Sequence, residues 1–223
     1  MRYKCLIFDH DDTVVNSTAT IHYPCWIEYL GIYRPEMKQT LEEYFLKNFE
    51  PGFIEMAQGE FGMSNEELEN EVIYWNNYVQ SHIPKSYDGI REIMEQQRKD
   101  GGYIAVISHS MKDNILRDYR YNNLPEPDII YGWEQPAERR KPNVWPLEQV
   151  IKELGINCED ALMIDDLKPG YDMAKTAGVD FAAAGWANDI EKIEKFMRSN
   201  CEYYFKKVDE LKQFLEKPLE MDK

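Results

Sequence analysis

The stretch LIFDHDDTVVNS, residues 6–17, joins an apolar run directly to three aspartates and a threonine. Residues 3–8 are β-branched, aromatic or apolar except for Lys4, and a short run of this kind predicts a buried strand. In open α/β sheets, ligands bind outside the carboxyl ends of the strands. Asp9, which follows the predicted strand, is therefore placed for chemistry rather than for stability.

Asp9 and Asp11 form a pair of carboxylates. Side chains two positions apart along an extended chain point the same way, so both can converge on one small volume. Two carboxylates in such a volume repel each other unless one is protonated or a cation lies between them. Magnesium suits this arrangement, because it accepts one or two carboxylates together with substrate phosphate. A solvated acidic turn and a calcium loop are the alternatives, and the position behind a buried strand favours aspartate chemistry on phosphate.

Composition restricts the possible partners. The chain has 223 residues, is 43% hydrophobic and carries a formal net charge of -15 with only 26 Lys and Arg, which argues against nucleic acid polymers and anionic membranes. No signal peptide or spanning segment is visible, so we expect a cytoplasmic protein, as a monomer or homodimer. The cysteines show neither CxxC spacing nor a disulfide framework, and they are Cys5, Cys25, Cys158 and Cys201.

Residues 16–83 are predicted to be a helical insertion into an α/β protein that comprises residues 1–15 and 84–223. Apolar positions in the insertion recur at helical spacing from Trp26 to Val79, and with breaks at residues 50–53 and 61–64 the pattern indicates about four helices. Ser64 and Glu67 form a capping box for one of these helices. The many aromatic residues at this spacing are interpreted as packing residues.

After Ile83 the pattern alternates between helix and strand, which is typical of a parallel sheet with crossover helices. Gly178 is predicted to end the helix that opens at Pro169. Two helices are predicted around Tyr203–Phe205. The predicted strands, including the first, are residues 3–8, 103–107, 128–131, 161–164 and 181–184.

Three further positions follow strands or enter helices where this topology would place a site. Ser108 follows a strand and precedes a helix, where a hydroxyl and backbone N–H groups can meet an anion, whereas Ser110 is interpreted as the cap of that helix. Lys141 precedes a proline that restricts its backbone, and its ammonium suits a phosphoryl group. Asp165 and Asp166 follow another apolar strand. The alternatives are ordinary turn chemistry for Ser108, a solvated basic loop for Lys141 and a chance acidic pair for Asp165 and Asp166.

The ordered set of these residues resembles the haloacid dehalogenase-like superfamily, in the branch of phosphoglycolate phosphatases and β-phosphoglucomutases. Four motifs carry the resemblance: Asp9-His10-Asp11-Asp12-Thr13, Ser108, Lys141 before proline, and Asp165-Asp166. The resemblance implies a Rossmann-like parallel sheet core with helices on both faces, plus an inserted small α-helical cap that closes over the site.

The resemblance also implies the site residues. Asp9 would be the nucleophile that forms an aspartyl-phosphate, and Asp11 would be the general acid and then the base. Mg²⁺ would be held by Asp9, the backbone carbonyl of Asp11 and Asp166, with Asp165 supporting these groups from outside the ligand set. The residues that would hold the phosphoryl oxygens are Thr13, Ser108 and Lys141.

The sequence departs from the family at a few positions. Asp12 stands where glycine is usual, which is interpreted as a turn with positive φ. His10 lies between the two aspartates and is expected to have a structural or rim role rather than a ligand role. The remaining departures, which put the fine geometry of the site in doubt, are Asn16, His109 and Gly170.

The expected function is a Mg²⁺-dependent phosphatase acting on a small phosphorylated metabolite. A phosphomutase acting on a sugar phosphate is the alternative enzyme, and a non-catalytic module that accepts or binds phosphate is an alternative of another class. Substrate choice is expected to lie in the cap, in the loop of residues 48–53 and at Arg34, although Arg34 beside Pro35 could equally terminate a helix.

Overall fold

The computed structural model describes residues 1–217. The chain divides into two compact units, one formed by Met1–Val15 and the chain from Lys85 onward, the other by Asn16–Pro84. Among the described residues, no helix is long and apolar enough to cross a membrane.

The first unit is built on a six-stranded sheet in the order β3-β2-β1-β4-β5-β6, in which every neighbouring pair is parallel. This topology confirms the predicted α/β class with a Rossmann-like sheet. The strands are β1 (Cys5–Phe8), β2 (Tyr103–Ile107), β3 (Ile129–Tyr131), β4 (Ala161–Asp165), β5 (Asp180–Ala184) and β6 (Tyr203–Phe205).

Strand β1 lies in the middle of the sheet. All four of its residues are fully buried, as expected for a strand covered on both faces of a parallel sheet. Phe8 is in register with Val106 of β2 and with Ile164 of β4. The ends of β1, β2 and β4 therefore meet at one edge of the sheet.

The second unit is helical. A π-helical turn, Thr18–His22, leads into α1 (Tyr23–Tyr33), which is followed by α2 (Leu41–Phe49), α3 (Phe53–Gly59) and α4 (Asn65–Ser81). Trp26 is at the centre of its core, and the indole Nε1 donates to Gln39 Oε1 at 2.7 Å. Tyr29 and Tyr44 are buried beside Trp26, which confirms that these aromatic residues serve in packing.

The helices of the first unit connect its strands. They are α5 (Ile90–Lys99), α6 (Lys112–Tyr121), α7 (Trp145–Leu154), α8 (Lys168–Ala177), α9 (Glu191–Asn200) and α10 (Val208–Glu216). Gly178 ends α8 with φ of 69°, a left-handed conformation that glycine adopts without steric cost. The predicted end of this helix is confirmed.

The sequence prediction missed strand β6. Tyr203–Phe205 has only three residues, all of them half-buried, and it pairs with β5 at the edge of the sheet. A run this short shows no alternation that would separate a strand from a loop. The two predicted flanking helices are present as α9 and α10.

The capping box of α4 offers a test of local stability. Ser64 Oγ accepts from the Glu67 N–H, and the Glu67 carboxylate accepts from the Ser64 N–H. We expect Ser64→Ala to lower the free energy of unfolding by about 1 kcal/mol, because an N–H of the first turn loses its partner. Urea denaturation followed by circular dichroism measures this loss. Ser81→Ala on the same helix removes an exposed hydroxyl bonded to Tyr78 O and serves as the control; equal losses in both variants would contradict the prediction.

Candidate active site

Three carboxylates meet at the carboxyl edge of the sheet. Asp9 follows β1, and Asp165 and Asp166 stand at the end of the adjacent strand β4. One ligand oxygen from each lies within 4.8 Å of the others, and all three side chains are buried. The spacing expected from the two strand ends is therefore present, and it brings together residues more than 150 positions apart in the sequence.

Lys141 joins two of these carboxylates. Its Nζ lies 2.9 Å from Asp9 Oδ1 and 2.7 Å from Asp165 Oδ2. Burial by itself would lower the pKa of Lys141, but Asp165 and Asp9 outweigh burial and hold the pKa above its usual range. The lysine is thus a fixed cation, in the position where the sequence predicts a phosphoryl-binding ammonium.

Asp166 lies beside Thr13. The Thr13 hydroxyl donates to Asp166 Oδ1 at 3.3 Å. Burial raises the pKa of Asp166, and the neighbouring carboxylates of Asp12, Asp165 and Asp9 raise it further. Burial also raises the pKa of Asp165 to about 7, although Lys141 opposes this shift.

The charge of this cluster fits a divalent cation. Asp9, Asp12, Asp165 and Asp166 are each at most 4% exposed, and within residues 1–217 the ammonium in contact with both Asp9 and Asp165 is that of Lys141. Buried carboxylates that repel each other are stabilised by a cation between them, and carboxylate oxygens are the ligands that Mg²⁺ prefers. The donor set therefore fits the predicted metal.

Asp12 occupies the turn after Asp11. Its φ is 56°, in the left-handed region that Asp tolerates better than most residues, and its N–H donates to Val15 O at 2.7 Å. The interpretation of Asp12 as a turn residue with positive φ is confirmed.

Ser108 and Asp11 are connected through Ser110. The Ser110 N–H donates to Ser108 Oγ at 3.1 Å, and the Ser110 hydroxyl donates to Asp11 Oδ2 at 2.6 Å. Ser110 was expected to cap the next helix, and this prediction is wrong: α6 begins at Lys112, and its N-cap is Met111 rather than Ser110. No local sequence pattern indicates this contact, because Ser110 and Asp11 are 99 residues apart.

Gly170 allows Asp165 to reach Lys141. A Cβ at position 170 would lie 2.0 Å from Asp165 Oδ2, far inside van der Waals contact. The Leu167 N–H donates to Asp165 Oδ1 at 2.8 Å, so both oxygens of Asp165 are held by protein groups. Glycine is therefore required at position 170, because any side chain there would displace the Asp165 carboxylate.

His10 faces away from the carboxylate cluster and takes a structural role, as expected. The ring is 1% exposed, stacks on Tyr119 and approaches Asp118 Oδ2 to 3.0 Å through Nε2. Arg117 Nε donates to the other oxygen of Asp118 at 2.8 Å. A buried ion network on α6 therefore anchors the loop that carries Asp9 and Asp11.

His109, the other histidine near the site, lies at the surface. Its Nε2 donates to the Lys141 carbonyl oxygen at 3.1 Å, and its ring meets Trp133 edge to face. The contact connects the Ser108 segment to the Lys141 segment. Asn16, the remaining departure noted in the sequence, falls at the start of the second unit.

The carboxylates lie at the carboxyl ends of the central strands of a parallel α/β sheet, with a buried lysine and a hydroxyl beside them. This is the edge at which proteins of the doubly wound class bind their ligands. The family model for haloacid dehalogenase-like hydrolases matches residues 6–184. The chain belongs to this family and is a hydrolase.

Known relatives and solved structures agree with this placement. Pyrophosphatase PpaX of Bacillus cereus (strain AH820) is 22% identical over 186 residues, which are 83% of this chain and 85% of the relative. A protein assigned as a phosphoglycolate phosphatase from Lactobacillus plantarum superposes with a TM-score of 0.75 at 20% identity, covering 96% of this chain and 99% of that chain. A family hydrolase from Deinococcus radiodurans R1 with bound phosphate and sodium gives a TM-score of 0.68 at 19% identity, covering 96% and 95%.

Removal of Asp118 tests the anchor of the site loop. We expect Asp118→Ala to lower the free energy of unfolding by about 3 kcal/mol, since His10 and Arg117 lose the acceptor of a buried network. Chemical denaturation of the purified variant measures this value. Asp113→Ala, which removes an exposed carboxylate from the same helix, should cost less than about 0.5 kcal/mol. Similar costs for the two variants would show that the network does not anchor the loop.

Proposed function

We propose that this hydrolase is a Mg²⁺-dependent phosphatase that cleaves a small phosphorylated metabolite through an aspartyl-phosphate on Asp9. The observation that carries the proposal is the position of Asp9. Its carboxylate is buried at the end of the central strand, with one oxygen fixed by Lys141 and with Asp166 within the same 4.8 Å cluster. A nucleophile, a fixed cation and a metal-binding carboxylate are the parts that phosphoryl transfer requires.

The names of the relatives support this reaction class. One is called a pyrophosphatase, one is assigned as a phosphoglycolate phosphatase, and a third structure holds phosphate. All three names concern phosphate groups on small molecules. The substrate class of this chain is proposed to be the same.

In the first half of the reaction, a carboxylate oxygen of Asp9 attacks phosphorus, and the bond between phosphorus and the ester oxygen breaks. The Asp11 carboxyl gives its proton to that leaving oxygen. In the second half, Asp11 takes a proton from water as the water oxygen attacks the phosphoryl group. Asp9 is thereby freed, and inorganic phosphate leaves.

The charge on the transferring phosphoryl group is proposed to be held by three side chains. The Lys141 ammonium is already in contact with Asp9, and the Thr13 hydroxyl lies beside Asp166. Ser108 contributes a buried hydroxyl from the end of β2. Groups that are fixed before the substrate binds stabilise the transition state without further reorganisation.

Mg²⁺ is proposed to be held by Asp9, the backbone carbonyl of Asp11 and Asp166. When bound, it supplies positive charge that neutralises the phosphoryl oxygens. Asp165 is proposed to act from outside this ligand set, since both of its oxygens are held by Lys141 and the Leu167 N–H.

The domain organisation is also a proposal. Residues 1–15 and 84–223 would form the catalytic domain, and residues 16–83 would form a cap that selects the substrate, with the loop of residues 48–53 as a contributor. Arg34 is a weaker candidate for substrate contact, because it ends α1 and forms an ion pair with Glu67.

A panel of phosphorylated metabolites that includes inorganic pyrophosphate tests the function. We expect phosphate release that requires Mg²⁺ and falls by at least about 10³-fold in Asp9→Asn, because the amide cannot act as the nucleophile. Malachite green detection of phosphate measures the rate. Asp189→Asn, which changes an exposed carboxylate, is the matched control and should keep full activity.

Other outcomes of this panel would favour other functions. Isomerisation of a sugar phosphate without net phosphate release would indicate a mutase. A phosphorylated Asp9 that persists without turnover of any ester would indicate a phospho-accepting module. Equal phosphate release by the wild type and Asp9→Asn would contradict the proposed nucleophile.

Metal binding can be measured without turnover. We expect Asp166→Asn to weaken Mg²⁺ binding by at least about 10-fold, the loss seen when even a supporting group of a metal site is removed. Isothermal titration of the purified protein with MgCl₂ measures this change. Asp172→Asn on α8 removes a carboxylate that pairs with Lys168 at the surface and should leave the affinity unchanged. An unchanged affinity in Asp166→Asn would exclude this residue as a ligand.

A further inference from the structure

We infer that Ser110 is a positioning residue that orients the Asp11 carboxyl for proton transfer to the leaving group. The inference depends on the proposed phosphatase reaction and assigns a residue to one of its steps. The Ser110 hydroxyl donates to Asp11 Oδ2 at 2.6 Å. At this distance the hydroxyl fixes the direction of the carboxyl group, and the bond becomes charge-assisted, and therefore stronger, once Asp11 has given up its proton.

Ser110 is itself held in place by its backbone. Its N–H donates to Ser108 Oγ at 3.1 Å, and its carbonyl oxygen accepts from the Trp133 N–H at 3.0 Å. Gly132 packs against the same carbonyl, since a Cβ at position 132 would lie 2.6 Å from Ser110 O. The residue is 4% exposed. A hydroxyl fixed in this way can define the direction of a partner that is less buried, as Asp11 is.

The ordinary explanation of a serine before a helix does not account for this side chain. Serine at such a position caps the first turn by accepting from a backbone N–H. Here α6 begins at Lys112, and the side chain of its N-cap residue, Met111, makes no capping hydrogen bond. The first-turn N–H of Lys112 is instead bonded to the Glu134 carboxylate, at 2.6 Å. The Ser110 hydroxyl therefore acts on Asp11, across the site.

Ser110 also connects the proposed phosphate-binding residue Ser108 to the proposed general acid Asp11. Ser108 is proposed to hold a phosphoryl oxygen, and its Oγ accepts from the Ser110 N–H. The Ser110 hydroxyl in turn holds Asp11. The acid is thereby oriented relative to the group that leaves the phosphorus. A well-placed general acid matters most for leaving groups that cannot depart without a proton.

Two aryl phosphates of similar shape separate this role from a structural one. Phenyl phosphate has a basic leaving group that needs the proton, whereas para-nitrophenyl phosphate has one that departs as the anion. We expect Ser110→Ala to lower kcat/KM for phenyl phosphate by about 10- to 100-fold, a part of the acceleration that a general acid provides, and kcat/KM for para-nitrophenyl phosphate by less than about 3-fold. The ratio kcat/KM is used because it reports the steps up to departure of the leaving group and not the hydrolysis of the aspartyl-phosphate that both esters share.

Two variants complete the design. Ser110→Thr keeps a hydroxyl and should restore most of the phenyl phosphate turnover. Ser108→Ala removes a proposed phosphate contact as well as the acceptor of the Ser110 N–H, so it should impair both esters. Should Ser110→Ala fail to fold, as judged by circular dichroism, Ser110→Cys replaces it, because a thiol is only a weak donor.

Equal losses on the two esters, or no loss on either, would overturn the inference. The proposed function can fail separately: in that case the wild type releases no phosphate, or Asp9→Asn remains as active as the wild type. An active wild type, an inactive Asp9→Asn and a Ser110→Ala variant without preference between the esters would refute the role of Ser110 alone.

Discussion

The contact of Lys141 with both Asp9 and Asp165 is the constraint on which the rest of the site depends. Parallel pairing of β1 with β4 brings their aspartates to one edge, and several buried carboxylates at such short range repel each other. The ammonium offsets part of this repulsion. It can do so only because Gly170 leaves room for Asp165 and the Leu167 N–H holds its second oxygen.

Sequence patterns were sufficient for strands β1 to β5, because each is a short and largely apolar run, and the central strands β1 and β4 lead into carboxylates. Each predicted strand end could be identified locally, and the parallel order then determined which ends meet. Strand β6 was missed, since three half-buried aromatic residues between two helices carry no period of their own. Its pairing with β5 depends on where the preceding chain places it, which is a tertiary property.

The residues of the candidate site could be proposed from the sequence, but most of their contacts could not. The positions of Asp9, Lys141 and Asp166 follow from strand ends and one proline. The partners of Ser110 and His10 do not, because each lies about a hundred residues away in the sequence. The preference of serine for helix N-caps predicted that Ser110 caps α6, but its hydroxyl donates to the distant Asp11 carboxylate instead.

The different tasks proposed for Asp9 and Asp11, two identical side chains two residues apart, agree with their different surroundings. Asp9 is buried against a fixed cation, an environment that suits a carboxylate acting as a nucleophile. Asp11 is partly exposed and is held by a neutral hydroxyl, which can donate to it without adding positive charge. Environments that differ in charge and solvation drive the behaviour of paired carboxylates apart. The division of labour thus originates in the partners, Lys141 for one aspartate and Ser110 for the other, rather than in the aspartates themselves.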